Sequence, residues 1–179
     1  MMDMTPETTS ILDAAEAQIR DGGYGAINIE QIAEISGLTA DQIQTQFRDI
    51  EYLATRVAER YRVRFIGALG AVEAEPATDQ LAKLVAMVRF ALVEEDKMCL
   101  CGMFGAQIAV LPPMVAEEIR HFFHQVLDWV TDVFRQTDVE DPRKRARETV
   151  ATLEGAMIMA RTLDEVQAFD DAAEAVLRS

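Results

Sequence analysis

Gln42, Gln44 and Gln46 lie around Thr45 in the stretch TADQIQTQFRDIEYL, residues 39–53. A glutamine carboxamide carries a donor and an acceptor side by side. That pair matches the N6–N7 edge of adenine in a major groove. Thr45 adds a hydroxyl, and Arg48, just past them, adds one charge suited to a phosphate. Yet residues 39–47 contain no lysine or arginine and include Asp41. An aspartate fits only over a cytosine amino group and suffers near phosphate. Backbone N–H groups at a helix start can hold phosphate without side-chain charge.

Other residues with reactive side chains are few. Cys99 and Cys101 form a Cys-Leu-Cys run, and His121 and His124 lie three apart. They could act as soft metal ligands or a thiol sensor. However, Cys-x-Cys lacks the second pair of a zinc site, and buried cysteine commonly serves as a small apolar side chain. No metal is assigned. RKRAR, residues 143–147, is the one basic cluster and reads as a solvated face balancing nearby acids. There is no Gly-rich phosphate loop, no HExxH and no GxSxG, so no catalytic residue and no cofactor is assigned, and an enzyme is not expected. Met87, Phe90, Met103, Phe104, Phe123, Trp129 and Met157 are deformable or aromatic. Most such residues build core; some of these are expected to line a pocket for a small apolar or aromatic effector.

The chain has 179 residues, half of them apolar, which suffices for a sizeable core. Its formal net charge is −14, opposite in sign to the basic footprint of most nucleic-acid binders. No basic, apolar leader and no run of about 18 apolar residues is present, so a cytoplasmic, non-membrane protein is expected.

These side chains must be positioned by helices, because helical periodicity dominates and no period-2 strand appears. Pro6 suits a helix start, and Gly22-Gly23 stops that helix. Asn28 with Gln31, and Thr39 with Gln42, each have capping-box spacing. Ile43 and Phe47 anchor one side of a two-turn third helix. Asp49 caps a fourth that runs towards residue 72. Further helices are expected over 79–95 and over the apolar 98–111, from Pro112-Pro113 to about 135, from Asp141-Pro142 to about 161, and from Asp164 to 177. The fold class is therefore all-α with about nine helices. The second and third meet across a Gly-containing turn, a helix-turn-helix.

ILDAAEAQIRDGGYGAINIEQIAEISGLTADQIQTQFRDIEYL resembles the N-terminal domain of the TetR family of bacterial repressors. The landmarks are Ile11-Leu12, Ala14-Ala15, Gly23-Tyr24, Ile32-Ala33, Gly37-Leu38-Thr39, Ile43, Phe47, and Glu51 with Leu53. The remainder is similar to the family's variable effector-binding domain, and LEGAMIMAR in the eighth helix to its dimerisation segment. The resemblance implies a helix-turn-helix domain over 1–48 and a ligand-binding and dimerisation domain over 49–179. It implies a homodimer joined through the last two helices, with Gly155, Met159, Val166, Phe169 and Ala173 at the seam. It also implies a cavity among helices four to eight, with Glu154 facing either the seam or a pocket wall.

The departures fall on the DNA face. The family commonly has a tyrosine where Gln44 stands and a phosphate-gripping lysine where Ile50 stands. Residues 1–65 hold eleven acids against six arginines (20, 48, 56, 60, 62 and 64) and no lysine, a formal charge near −5. The resemblance thus implies a dimeric transcriptional regulator, a repressor by type, whose operator DNA is read by Gln42, Gln44, Thr45, Gln46 and Arg48. The alternative keeps the fold, loses DNA, and binds a ligand or a partner protein.

Overall fold

A computed structural model describes residues 4–72 and 75–178. Among them are nine α-helices and no strand: α1 Pro6–Gly22, α2 Ile29–Ser36, α3 Ala40–Phe47, α4 Ile50–Leu69, α5 Ala77–Val93, α6 Leu100–Ala106, α7 Pro113–Phe134, α8 Pro142–Leu163 and α9 Val166–Leu177. A 3-10 turn, Tyr24–Ala26, joins α1 to α2.

The helix starts follow the capping chemistry of the sequence, with two differences. Thr39 and Gln42 form a full reciprocal box at α3. At α2 the Asn28 side chain accepts from the Gln31 N–H, but the Asn28 N–H donates to Gln18 Oε1 at 2.8 Å. Gln18 of α1 also donates to Gln31 Oε1, so this box is completed between helices rather than within one. At the other end of the chain, Asp164 does not open α9. It closes α8 in the left-handed conformation, φ 55°, and Glu165 precedes α9 without a side-chain cap. A short polar side chain tolerates that conformation, which is why Asp can end a helix as well as start one.

The apolar 98–111 stretch also differs from expectation. Only Leu100–Ala106 is α-helical, and Ile108 and Val110 are exposed. Glycines at 102 and 105 weaken the helix, and turn-type bonds from Gln107 to Phe104 and from Val110 to Gln107 replace its next turn.

The chain folds as two units, each with its own buried interior. The first is the chain up to Val63 with Leu100–Arg120; the second is Arg64–Cys99 with the chain from His121 onward. The first unit thus takes in α4 up to Val63, α6 and the start of α7 together with the residues before the expected 48/49 boundary. In the first unit α1 packs on α2 and α6, and α2 on α3. Ile11, Leu12, Ile19, Ile32, Ile43, Phe47, Leu53 and Phe104 are fully buried there. Gly23, at φ 74°, lets the chain turn beneath α6: a Cβ there would strike the Gln107 side chain, whose Oε1 accepts from the Tyr24 N–H at 2.8 Å.

The second unit is built by α5, α8, α9 and most of α7. α5 packs on α8 and α9, and α8 on α9. Trp129 Nε1 donates to the Gly70 carbonyl at 2.9 Å, and Phe65 meets Phe122 edge-on at 5.2 Å. A two-pronged ion pair, Arg89 Nε and Nη2 to Asp170 at 2.7 and 3.1 Å, links α5 to α9.

Candidate nucleic-acid interface

α2, the Gly37 turn and α3 form the helix-turn-helix. Gly37 sits at φ 70°, ψ 24°, and the Leu38 N–H returns to the Ala33 carbonyl at 3.0 Å. The Ser36 hydroxyl adds a bond to the Ile32 carbonyl at 2.7 Å, so backbone and side chain together fix the turn. Ile43 and Phe47 then hold α3 against the unit, leaving Asp41, Gln42, Gln44 and Thr45 exposed.

The structure places internal work on several of the expected DNA-reading groups. Gln42 Oε1 accepts from the Thr39 N–H at 2.8 Å, which leaves its amide nitrogen for a base. Gln46 uses its amide nitrogen on Thr8 Oγ1 of α1. Thr45 Oγ1 donates to the Asp41 carbonyl at 2.8 Å. Gln44 is exposed, and its side chain makes no hydrogen bond to another described residue. The capping box also occupies two amides, of Thr39 and Gln42, at the α3 start. They are therefore not available to a phosphate. Glu7, Leu38, Asp41, Gln42, Thr45 and Gln46 line a shallow groove of about 340 Å³. Two carboxylates thus flank the face where a polyanion would lie. Glu7 and Thr8 enter this site from α1, and no local spacing in the sequence signals it.

The arginines of the first unit are spoken for. Arg20 and Arg60 share Glu16, and Arg60 also reaches Asp13. Arg56 pairs with Glu59, and Arg62 with Glu118 at 3.0 Å. Arg48, beside α3, lies 3.2 Å from Asp49 Oδ2 and stacks over the Tyr52 ring at 4.9 Å.

Of the residues expected to line an effector pocket, Met103 and Phe104 belong to the first unit and the other five to the second. Phe104 is buried 6.3 Å from Tyr24. Met157 is buried, and its sulfur accepts from the Cys99 N–H at 3.2 Å. Phe123 packs edge-on to Phe122 at 5.3 Å, and Trp129 is buried. Met87 is half-buried. Phe90 is 56% exposed on α5, so it does not wall an enclosed cavity within the chain. Helical periodicity carries this signal: Phe90 lies on the side of α5 opposite the stripe of Leu81, Leu84, Val85 and Leu92.

Glu154 points its carboxyl inward from α8. Its residue surface is partly in solvent, but Oε2 is shut off from water and has no hydrogen-bond partner among the described residues. Burial raises the carboxyl above its ordinary value, and a hydrogen bond with Cys99 partly offsets that. Cys99 and Cys101 are both buried and not disulfide-bonded. His121 and His124 are exposed on α7.

On the outer side of α8 and α9, Ala151, Gly155, Met159, Leu163, Ala168 and Ala172 line an open groove of about 700 Å³. Ile158, Met159, Leu163 and Val166 are exposed there or beside it. Phe169 and Ala173, expected at a seam between protomers, are 0% and 5% exposed within their own chain. They are correctly read as core instead: α9 turns them to the inside of its own unit, and Gly155, Met159 and Val166 keep outward positions.

No protein-family model matches the chain, and no curated protein matches it. Solved structures do. A TetR transcriptional regulator from Legionella pneumophila is 23% identical, covers 98% of this chain and 97% of its own, and superposes with a TM-score of 0.89. A TetR-family regulator from Agrobacterium tumefaciens is 23% identical over 96% of each chain, with a TM-score of 0.90. The Bacillus subtilis transcriptional regulator FadR, in complex with stearoyl-CoA, is 16% identical over 95% of each chain, with a TM-score of 0.75. All-helical along its described length, with a helix-turn-helix near its N-terminus and whole-chain likeness to these proteins, the chain has the TetR-family fold.

Proposed function

We propose that the chain is a dimeric transcriptional regulator that binds DNA through α2 and α3 and answers to a small effector. The observation that supports this most is whole-chain likeness to transcriptional regulators, 98% of this chain against the Legionella protein, with the reading helix capped and exposed at Gln42 and Gln44. Of the similar structures, FadR is solved with an acyl-CoA, a ligand with a long apolar part. That supports an apolar effector as the class, received in the C-terminal portion where Met157, Trp129 and Phe123 lie. An enzyme finds no support in these likenesses, which are to transcriptional regulators. Among the described residues no helix is long and apolar enough to cross a membrane.

The mechanism is a population shift: the effector favours one spacing of the two heads in the dimer, and only heads about 34–36 Å apart match successive major grooves. Repression is the expected sign of regulation. Retention of genomic DNA fragments, titrated against salt, tests the reading. Because Arg20, Arg56, Arg60 and Arg62 already face carboxylates, few phosphates are neutralised and the log–log salt slope is expected to be shallow. A steep slope counts against this account of the interface. Retention of no fragment at low salt counts against DNA binding altogether and favours a ligand- or protein-binding role for the same fold.

A further inference from the structure

We propose that Asp49 is an internal rival for the DNA phosphate at Arg48, so that the charge at position 49 sets how tightly the chain holds DNA. The inference rests on the DNA-binding reading above. Arg48 is the only cation within residues 39–53. It follows α3 directly, and its side chain is exposed, 66% against 52% for Asp49. Its backbone is at φ 27°, in the left-handed half of the map that side chains other than glycine's rarely occupy. Across the turn the Asp49 N–H faces the Phe47 carbonyl. This turn brings the guanidinium onto Asp49 Oδ2 at 3.2 Å and over the Tyr52 ring at 4.9 Å.

The two oxygens of Asp49 do different work. Oδ1 accepts the Tyr52 N–H at 2.7 Å and so caps α4; Oδ2 faces Arg48. An asparagine keeps the first role, because Asn and Asp cap helices about equally well, and gives up the charge that serves the second. Tyr52 holds the guanidinium plane in either case. A phosphate arriving at the end of α3 must displace Asp49 from Arg48 or share the arginine with it. Either course costs binding at every sequence, since phosphate contacts carry no base information.

The test is fluorescence anisotropy on mixed-sequence genomic duplexes, over a range of salt, with wild type, D49N, R48A and R48A/D49N. Circular dichroism melting of each full chain checks that α4 remains capped. D49N is expected to bind about tenfold more tightly at low salt and to steepen the salt slope by about one. In the R48A background the same change is expected to give only about twofold, the part due to simple removal of a repelling charge. Binding by D49N where wild type shows none would support the proposal most directly. A gain of equal size in both backgrounds, or no gain in either, overturns it while wild-type binding keeps the DNA reading intact. Failure of wild type and D49N alike to bind at any salt overturns both.

Discussion

At the scale of one residue, Glu154 shows how a buried group makes stability depend on pH. Its carboxyl is held above its ordinary value, first by burial, while the hydrogen bond with Cys99 opposes this. In the unfolded chain the group ionises as pH rises through about 4.5; in the fold it keeps its proton to higher pH. Above that point the unfolded chain binds fewer protons than the folded one, so this residue's contribution to stability falls as pH rises. Glu154→Met removes both the charge and the partnerless Oε2 at similar volume. It is expected to raise stability at pH 7 by about 1–3 kcal/mol and to leave it nearly unchanged near pH 4. Urea unfolding of both proteins at the two pH values checks this. A variant less stable than wild type at pH 7 would show that the carboxylate is satisfied in solution. In the sequence Glu154 stands out only as a charge among apolar neighbours; that its tip meets Cys99, 55 positions away, depends on how α8 packs.

At the scale of elements, what the sequence made legible is what local chemistry controls. Thr39 with Gln42, Asp49 at the α4 start, Asp141-Pro142 at α8 and Gly37 at the α2 end all act where their types and spacing place them. Asn28 does cap α2, and what differs, its return bond and the role of Asp164, has a common cause. Asn28 gives its N–H to a side chain from another helix, and Asp164 has a conformation that serves an ending as readily as a start. Neither choice is decided within four residues. The same limit applies to the candidate site: Gln42, Gln44 and Thr45 were legible as an exposed row, but Thr8 claiming Gln46 from 38 positions away was not. The α3 box gives an element-scale test. Thr39→Ala removes the acceptor for the Gln42 N–H and is expected to cost about 1 kcal/mol of stability in urea unfolding. A change within a few tenths of a kcal/mol would mean that water replaces the hydroxyl and that the box does not hold the helix start.

At the scale of the whole molecule, the proposed function requires two copies, since one head reads one half-site and carries too little charge to hold DNA by itself. The net charge of −14 opposes bringing two chains together, so the join must rest on apolar surface rather than on long-range attraction. The outward side of α8 and α9 supplies such a surface. Small residues at 151, 155, 168 and 172 would let a helix come close, and Ile158, Met159 and Leu163 offer apolar side chains to a copy of the same face. Met159 is 55% exposed in the single chain, so substituting it leaves the chain's own core alone. In a two-fold join, Met159→Arg places two like charges in one seam, with no water to screen them. Wild type is expected to have the mass of a dimer by light scattering at micromolar concentration, and the variant half that mass with an unchanged circular dichroism spectrum. DNA retention should fall with it, because a lone head forfeits the second half-site. A wild type that is monomeric under these conditions would remove the dimer, and with it the two-head mechanism. A variant that stays dimeric would move the join to another face of the fold.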